Sequence, residues 1–416
     1  MTVDLREEKE LAQQRFKEIC KHAKIVDTHN DFPYLLRVQL RNKLQLAEFD
    51  FENGLTSHTD LVKMRQGQVG VQFFSCFIEC KNPNYLYQDF DTPTTVVRDT
   101  LEQIDVTRRL VCKYNNDLKF VDCADDAIAA FRNNGKIAIA LGVEGLHQVD
   151  TSLAVLRQYY SLGVRYITLT HNCDNPFATA ASSITGGLPD RGLSAYGIEC
   201  IFEMNRLGMM VDLSHVSHRT MHDALDVTKA PVIFSHSSAY TLTEHERNVR
   251  DDVLERLKTN GGVVQVNFYQ DFIRKPGSDR ATIDDAADHI LHIIKVAGWE
   301  HVGLGSDFDG IPQGPKGLED VSKYPDLICK IIERTNATNE QIEGLMGLNV
   351  LRVWKKTELV ALQLSKKLEP IESSWSGRKW EFYSYAKEFP ELFPDAYKLN
   401  EKSTVWNYDQ PLNIEK

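Results

Sequence analysis

The sequence predicts an α/β protein built as a (β/α)8 TIM barrel, with a helix before the barrel and an extension after it. Three observations lead to this prediction. Short apolar runs rich in β-branched residues recur eight times, segments with helical periodicity separate them, and ionisable side chains stand at the ends of most runs. Strand–helix alternation repeated eight times favours a closed parallel barrel, although repeated βα units also build doubly wound sheets.

The length and periodicity of each segment define the predicted elements. The eight predicted strands are Lys24–Asp31, Val69–Ile78, Ile137–Gly145, Val164–His171, Gly208–Val216, Pro231–Ser238, Gly262–Tyr269 and His301–Gly310. The predicted helices are Thr94–Tyr114, Ala124–Asn134, Ser152–Leu162, Ser194–Leu207, Arg219–Thr228, Asp251–Thr259, Ile283–Ala297 and Asn339–Lys356. Residues that commonly cap helices stand at the start of three of them: Ser217, Asp251, and Thr282 with Asp285 three positions later.

The chain divides into three parts around this repeat. We predict an amphipathic N-terminal helix in residues 1–23, the barrel in residues 24–358 and a C-terminal extension in residues 359–416. The extension is rich in aromatic residues such as Trp375 and Trp380. We expect it to pack on the barrel or on a partner subunit of a homodimer. A chain of 416 residues is long enough to bury the large core that such a barrel needs.

Composition excludes several classes of partner. The formal net charge of −11 argues against nucleic acid and anionic membrane surfaces, since both attract basic proteins. No apolar run approaches the roughly 20 residues that span a bilayer. The charged N-terminus lacks the apolar segment of a secretory signal, and no lipid-anchor signal closes the C-terminus. We therefore expect a cytoplasmic enzyme without a membrane anchor.

Ionisable residues mark the ends of six of the eight predicted strands. They are His29 with Asp31, Glu144, His171, His215, His236 and Asp307. Counting back by twos along a strand gives one face, and on that face small or apolar residues precede each group, such as Val211 and Leu213 before His215. This alternation predicts that the polar groups point inward at the carboxyl ends of the strands, where barrel enzymes carry their active sites.

So many buried ionisable groups predict a metal centre. One histidine at a strand end is usually structural, but ionisable groups at six strand ends need compensation, and a multivalent cation supplies it. Imidazole and carboxylate donors without thiolates suit Zn²⁺, with Mn, Fe, Co or Ni also possible. Three histidines and two carboxylates exceed the needs of one catalytic zinc, which suggests two ions bridged by one carboxylate. We therefore expect residues 24–358 to form a metal-dependent hydrolase.

Longer motifs around these groups resemble the membrane (renal-type) dipeptidases of the amidohydrolase superfamily. The matching segments are Val26–Asp31, Gly142–Gly145, Thr168–Cys173, Asp212–Ser217, Ala230–Tyr240, Arg247–Val249, Val266–Tyr269, Gly305–Gly310 and Gly317–Pro325. The resemblance covers roughly residues 24–355 with similar spacing throughout. It implies a binuclear zinc dipeptidase in which His29 and Asp31 bind one zinc, His215 and His236 bind the other, and Glu144 bridges both.

The same resemblance implies roles for three further residues. His171 would contact the scissile carbonyl oxygen, Arg247 the C-terminal carboxylate of the substrate, and Asp307 would transfer protons. Dipeptides with a free C-terminus are then the substrates, including Cys-Gly from glutathione conjugates. A cytosolic member would serve glutathione turnover, or a fungal secondary pathway such as gliotoxin biosynthesis.

Cysteine usage departs from the pattern of the membrane-displayed members, which carry two intrachain disulfides. This chain has eight cysteines without any CxxC pair and keeps one family pair, Cys80 and Cys173. Thr243 and Lys275 occupy the positions of the other pair. Together with the missing targeting segments, this favours the cytosol and leaves open whether Cys80 and Cys173 are oxidised.

Several alternative interpretations accompany this prediction. His218 and His222 have a metal-ligand spacing, but on a barrel helix they are expected to form a solvated face. Asp309 and His147 lie near the predicted site as supporting or merely structural residues. A deacetylase- or lactonase-type amidohydrolase typically has HxH on strand one and a bridging lysine, whereas this chain has HxD and Glu144. A non-catalytic metal-bearing barrel is the third possibility, and turnover of a dipeptide such as Cys-Gly separates it from an enzyme.

Overall fold

The strands form a closed parallel barrel. A computed structural model describes residues 5–81, 89–90 and 94–375. Its strands are β1 Ile25–Asn30, β2 Val69–Cys76, β3 Leu118–Phe120, β4 Ile137–Val143, β5 Val164–Thr168, β6 Met210–Asp212, β7 Ile233–Phe234, β8 Val263–Val266 and β9 Val302–Leu304. Eight of them make the ring in the order β2-β1-β9-β8-β7-β6-β5-β4, and parallel pairing between β2 and β4 closes it. The predicted barrel and its eight strands are confirmed.

The short strand β3 is an addition that the sequence does not predict. It pairs with the start of β4, from Ile137 to Ile139, whereas β5 pairs with the later part of β4, from Leu141 to Val143. Since β2 occupies the other edge of β4, β3 and β5 share one edge. β3 therefore lies beside the ring rather than in it.

Helices follow most of the strands and surround the ring. They are α1 Leu5–Ile19, α2 Phe32–Leu40, α3 Leu61–Gln66, α4 Val96–Lys113, α5 Ala124–Asn133, α6 Leu153–Ser161, α7 Ala181–Thr185, α8 Ala195–Leu207, α9 His218–Val227, α10 Asp251–Asn260, α11 Gln270–Ile273, α12 Ile283–Ala297, α13 Tyr324–Arg334, α14 Asn339–Glu343 and α15 Asn349–Leu364. The sequence does not predict α2, α3, α7, α11 and α13, of which α13 is the longest with 11 residues. A π-helical turn, Gly344–Leu348, divides the last predicted helix into α14 and α15.

Helix starts test the predicted caps. The Ser217 side chain accepts the backbone N–H of Thr220 at the start of α9. Thr282 and Asp285 form a reciprocal capping box at the start of α12. The prediction for Asp251 is wrong, because this residue begins α10 and Arg250 occupies the cap position without a side-chain bond. Asp251 instead places negative charge in the first turn, where the helix dipole favours it.

Helix α15 closes the amino end of the barrel. Trp354 is fully buried and belongs to an apolar cluster with inward side chains of the strands. Its ring centroid lies 5.1 Å from that of Phe73 on β2. The Asn349 amide donates to the carbonyl of Val302, the first residue of β9, at 2.8 Å. The amino end of the barrel interior is thus filled by apolar side chains, and the space for a polar site lies at the carboxyl end.

The sequence predicts that the apolar residues preceding each polar group point into the barrel. This prediction is right for β4 and wrong for β5, β6 and β7. Ala138 and Ala140 belong to the inner cluster, as the alternation before Glu144 requires. The residues counted back from His171, His215 and His236 belong instead to the outer cluster that packs against helices: Ile167, Leu169, Val211, Leu213, Val232 and Phe234. These three strands end before their histidines, so strand alternation does not extend to them.

The three-part division remains a prediction. Residues 376–416 of the predicted extension lie outside the described residues. The described part continues α15 to Leu364, and the Ile371 carbonyl accepts a hydrogen bond from Arg157 at 3.0 Å. Ile371 N–H in turn donates to Glu203 of α8 at 3.3 Å. Residues up to 371 therefore contact the helical layer of the same chain.

We expect Trp354→Ala to lower the free energy of unfolding by about 3–5 kcal/mol, because it leaves a large cavity at the base of the barrel. Leu359→Ala on the same helix is the control, since Leu359 is 44% exposed and a surface change costs about 0.5 kcal/mol or less. Urea unfolding of the two variants measures the difference. Equal losses would show that α15 does not plug the barrel.

Candidate metal centre and active site

Four imidazoles surround the carboxylate of Glu144 at the carboxyl end of β4. Its Oε1 atom lies 2.9 Å from Nε2 of His215, 3.3 Å from Nε2 of His236, 3.6 Å from Nε2 of His29 and 3.8 Å from Nε2 of His171. The Glu144 side chain is 4% exposed. Residues from four different strand ends thus meet at one buried oxygen.

The remaining predicted site residues border the same cluster. The Oδ2 atom of Asp31 lies 3.3 Å from Nε2 of His29, and Oδ1 of Asp307 lies 4.0 Å from the same nitrogen. Arg247, in the chain after β7, donates from Nη2 to the carbonyl of His236 at 3.4 Å. The structure therefore brings all eight sequence-predicted site residues together.

Irregular backbone aims several of these side chains. The register of β1 against β2 shifts between Asp27 and Asn30, the segment that contains His29, and such irregularities commonly re-aim a side chain at a site. His215 and Asp307 have φ values of 63° and 66°, in the left-handed region that non-glycine residues rarely adopt. At these two site residues the surrounding structure must hold the strained backbone in place.

The Nδ1 atom of His29, on the side of the ring away from Glu144, has a fixed protonation state. Its Nδ1 lies 2.9 Å from the hydroxyl of Tyr166, and that hydroxyl donates its own proton to the carbonyl of Thr28 at 3.0 Å. Because the tyrosine proton is already used, Nδ1 of His29 must be the donor. In the neutral ring Nε2 then carries a lone pair directed at the Glu144 cluster.

His215 and His236 are held in the same tautomer. Nδ1 of His215 lies 3.1 Å from the Oδ1 atom of Asn172, which can only accept. Nδ1 of His236 lies 2.8 Å from Oγ of Ser235, which donates its proton to Asp212 at 2.6 Å. Both histidines therefore present an unprotonated Nε2.

These lone pairs meet without a proton between them. Nε2 of His215 and Nε2 of His236 are 2.9 Å apart, and two unprotonated nitrogens at that distance repel each other. Among the described residues, neither Nε2 of His29 nor Oδ1 of Asp31 has a hydrogen-bond partner, although both atoms are buried. A divalent cation satisfies this arrangement, and histidines anchored through the other ring nitrogen are typical metal ligands.

His171 differs from the three anchored histidines. Its Nδ1 is buried and has no hydrogen-bond partner within the described part of the chain. The ring packs against Phe77, with centroids 4.4 Å apart. Burial, followed by nearby cationic groups, holds the pKa of His171 well below its usual value, so the ring is neutral. A neutral imidazole with a free choice of tautomer suits contact with a substrate better than it suits metal ligation.

Burial controls the charges around this cluster. Desolvation raises the pKa of Glu144 well above its usual value and that of Asp307 to about 7. Desolvation also opposes protonation of His29, but the Asp31 and Glu144 carboxylates outweigh it and raise the pKa of this histidine to about 10, so that Nε2 holds a proton until a bound cation replaces it. The buried carboxylates thus require positive charge close to them.

Arg247 is a buried cation with spare donors. It is 5% exposed, and burial lowers its pKa to about 10. Its Nε and Nη1 atoms have no hydrogen-bond partner among the residues that the structure describes, and its guanidinium lies 5.2 Å from the Phe272 ring centroid. Since unpaired buried donors are costly, this guanidinium is suited to bind a carboxylate that enters the site.

Comparisons with known proteins agree with this chemistry. The family model described as membrane dipeptidase (peptidase family M19) matches residues 13–368. An uncharacterized dipeptidase of Schizosaccharomyces pombe is 47% identical over 344 residues, which cover 82% of each chain. The chain belongs to the membrane dipeptidase family. It is accordingly a dipeptidase of this metallopeptidase family, and the resemblance seen in its motifs is confirmed.

Solved structures of other proteins support the fold of this dipeptidase. The probable dipeptidase PvdM of Pseudomonas aeruginosa superposes with a TM-score of 0.75 at 19% identity, covering 85% of this chain and all of PvdM. A metallopeptidase of Rhodobacter sphaeroides, solved with a phosphinate mimic of the dipeptide L-Ala-D-Ala, gives a TM-score of 0.68 at 23% identity. That match covers 81% of this chain and 99% of the other. At such low identity these likenesses establish the barrel.

Location and assembly of the dipeptidase are still predictions. In the residues that the structure describes, none of the helices combines the length and the apolar character required for a bilayer crossing.

Two buried aspartates of the dipeptidase support the site, and the sequence prediction misses both. Oδ1 of Asp212 accepts the backbone N–H groups of Ser214 and Ser235 at 3.1 and 2.8 Å. Its Oδ2 accepts the hydroxyls of Thr168 and Ser235, each at 2.6 Å. Asp212 thereby fixes the strand end that leads into His236.

Asp27 does the same at the other side of the ring. It accepts the Ser306 backbone N–H at 2.9 Å, the Ser306 hydroxyl at 2.7 Å and the Tyr324 hydroxyl at 2.7 Å. It also accepts the N–H of His29 at 3.2 Å. The bonded serine precedes Asp307, so one carboxylate positions two site residues. A carboxylate within an otherwise apolar strand, shortly before a histidine, is the sequence signal that identifies both aspartates.

The secondary candidates have structural partners. His218 and His222 both point Nε2 at Asp252 of α10, at 3.2 and 2.9 Å, and are partly exposed, in agreement with the expected solvated face. Asp309 accepts the backbone N–H of His58 at 2.8 Å and so ties that loop to the end of β9.

We expect Ser235→Ala to weaken metal binding by about 10- to 100-fold, because His236 loses the acceptor that fixes its tautomer. Ser238→Ala is the matched control, since this buried serine bonds the Asn267 carbonyl at 3.3 Å. Metal content after dialysis against graded chelator measures the effect. Equal retention in both variants would contradict a supporting role for Ser235.

Proposed function

We propose that this dipeptidase is a binuclear zinc enzyme that hydrolyses dipeptides with a free C-terminal carboxylate. The observation that carries the proposal is the convergence of the Nε2 atoms of His29, His215 and His236 on Glu144. In this assignment His29 and Asp31 would hold one ion, His215 and His236 would hold the other, and Glu144 would be shared by both. Nitrogen and oxygen donors without thiolates favour zinc, while manganese, iron, cobalt and nickel accept the same donors.

Bound divalent cations supply Lewis-acid activation of water and of the scissile carbonyl. The side chains of the chain then direct the proton transfers. Asn267 donates from Nδ2 to Oδ2 of Asp307 at 2.9 Å, which leaves Oδ1 to take the proton of the attacking water. A pKa of about 7, raised by burial, lets the same carboxyl release that proton to the leaving amine.

His171 stabilises the charge that develops on the carbonyl oxygen. Its neutral ring has no fixed tautomer, so Nε2 is able to carry the proton and donate it to that oxygen. Nε2 lies 3.8 Å from Oε1 of Glu144, at the edge of the cluster. A hydrogen bond that strengthens as negative charge develops lowers the barrier rather than merely binding the substrate.

Arg247 selects for a free C-terminus. A guanidinium binds a carboxylate through two parallel hydrogen bonds from one edge, and the unsatisfied Nε and Nη1 of Arg247 leave an open donor on either edge beside Nη2 for such a ligand. Its place after β7 sets a fixed distance to the Glu144 cluster, which limits the substrate to short peptides. A deacetylase or lactonase substrate without that carboxylate would leave the buried charge unpaired.

The dipeptide substrate itself is inferred from relatives. The Rhodobacter sphaeroides metallopeptidase was solved with a mimic of L-Ala-D-Ala, which supports testing both L- and D-residues at the C-terminal position. Cys-Gly and its S-conjugates are the substrates that we propose, because the family resemblance implies them. A panel of Xaa-Gly, Xaa-D-Ala and Cys-Gly conjugates with defined metals ranks these candidates by kcat/KM.

We expect Glu144→Gln to strip metal from the protein and to abolish hydrolysis of Cys-Gly, because an amide cannot bridge two cations with a full negative charge. Elemental analysis of metal per chain and a ninhydrin assay measure the two effects. Glu255→Gln, an exposed change on α10, is the control. Retention of both metals with normal turnover would refute the bridging role.

We expect Arg247→Ala to lower kcat/KM for dipeptides by about 100-fold or more while leaving metal content nearly unchanged. Removing one partner of a buried charge pair costs about 2–5 kcal/mol. Arg247→Lys keeps the positive charge but lacks the paired donors, so its kcat/KM should lie between those of the wild type and Arg247→Ala. Equal activity of the wild type on free and C-terminally amidated dipeptides would contradict carboxylate recognition.

A further inference from the structure

Cys80, Cys173 and His147 form a compact group beside the Glu144 cluster, here termed the Cys–His cluster. Cys80 follows β2 and Cys173 follows β5, and the two are joined by a disulfide with their Cα atoms 6.3 Å apart. One ligand atom from each of the three residues lies within 4.8 Å of the other two. All three residues are buried, with exposures of 5%, 0% and 6%.

His147 has a buried lone pair with nothing to bind it. Its Nε2 lies 2.7 Å from the carbonyl of Ile78, which can only accept, so Nε2 carries the proton. Nδ1 is therefore unprotonated, and it has no hydrogen-bond partner anywhere in the described residues. Burial lowers the pKa of this histidine to about 4, which keeps the ring neutral. A buried acceptor without a partner is costly, and disulfide sulfurs offer it no proton.

The ring is held in place by its surroundings. Nδ1 lies against Gly145, where a Cβ would approach it to 2.5 Å. A cavity of about 330 Å³ adjoins the ring, and it is lined in part by Ile78, Glu79 and Asp150. Three carboxylates, those of Glu79, Asp89 and Asp150, outnumber the one ammonium group, that of Lys81, on the wall of this cavity, and the net negative charge favours the approach of a cation.

We propose that the Cys–His cluster is a second metal site, which binds a soft cation such as Zn²⁺, Cd²⁺ or Cu⁺ when the disulfide is reduced. A dithiol supplies two electrons and two protons, the S–S bond breaks into two thiols, and the dithiol becomes a disulfide. Cation binding then displaces the two thiol protons. Two thiolates and one imidazole leave a fourth position for water, a donor set typical of zinc.

This site is chemically distinct from the one around Glu144. The dipeptidase site is built from imidazoles and carboxylates, whereas the Cys–His cluster adds two thiolates, and the two share no residue. Soft thiolate ligands select different cations from carboxylates. The proposal therefore does not rest on the binuclear assignment and can fail or succeed separately from it.

The test uses the full chain in two redox states. The protein is reduced with dithiothreitol, the reagent is removed under anaerobic conditions, and Co²⁺ is titrated while the near-ultraviolet absorbance is recorded. Thiolate-to-cobalt charge transfer gives a band there that imidazole and carboxylate ligands do not produce. We expect one equivalent of this band in the reduced protein and none in the oxidised protein. The other six cysteines are free in both states, so the oxidised protein is the internal control for cobalt binding by those thiols.

Variants assign the band to residues. Cys80→Ser and Cys173→Ser should abolish it, and His147→Ala should weaken Co²⁺ binding at this site at least tenfold. Cys112→Ser, at an exposed free cysteine, should retain the band. No band in the reduced wild type, or a band that persists in Cys80→Ser, overturns the proposal. The comparison of reduced and oxidised wild type remains decisive if a variant fails to fold.

Discussion

The architecture of this dipeptidase depends on mutual repulsion at one point. Three imidazole lone pairs and the carboxylates of Asp31 and Glu144 converge where water is excluded, and the distance of 2.9 Å between two of the nitrogens is unfavourable without a cation. The surrounding hydrogen bonds and backbone turns hold these groups in place against that repulsion. The hydroxyl of Tyr166 and the amide of Asn172 fix ring orientation, and residues with positive φ set the chain direction.

Support for this point comes in layers from below. Asp212 and Asp27 each join one strand to the end of the next, so the site residues move together rather than singly. Beneath them an apolar interior, closed by Trp354, excludes water from the barrel. A dry base increases the strength of every charge interaction above it. The same dryness explains why burial dominates the pKa shifts of Glu144, Asp307 and Arg247.

The sequence predicts the strands well, because buried parallel strands are apolar runs. The polar residues that it selects at the strand ends also lie together in the structure, since they stand out against those runs. It predicts the direction of side chains poorly, since His171, His215 and His236 follow their strands and depend on local turns such as the positive φ of His215. Strand β3 has only three residues, too few for a periodic signal. Helices α2 and α13 begin with Pro33 and Pro325 in their first turns, where proline is tolerated but resembles a loop signal. The roles of His171 and Arg247 came from family resemblance, which periodicity alone does not provide.

The closure of the ring by β2 and β4 has a consequence for assembly. Before that pairing forms, the chain holds only fragments of the donor set, such as the adjacent His29 and Asp31, because the other donors lie on separate strand ends between positions 144 and 236. High affinity for metal ions therefore requires the closed barrel. Metal bound there would join separate strands across the rim, and its binding free energy would add to the stability of the folded chain.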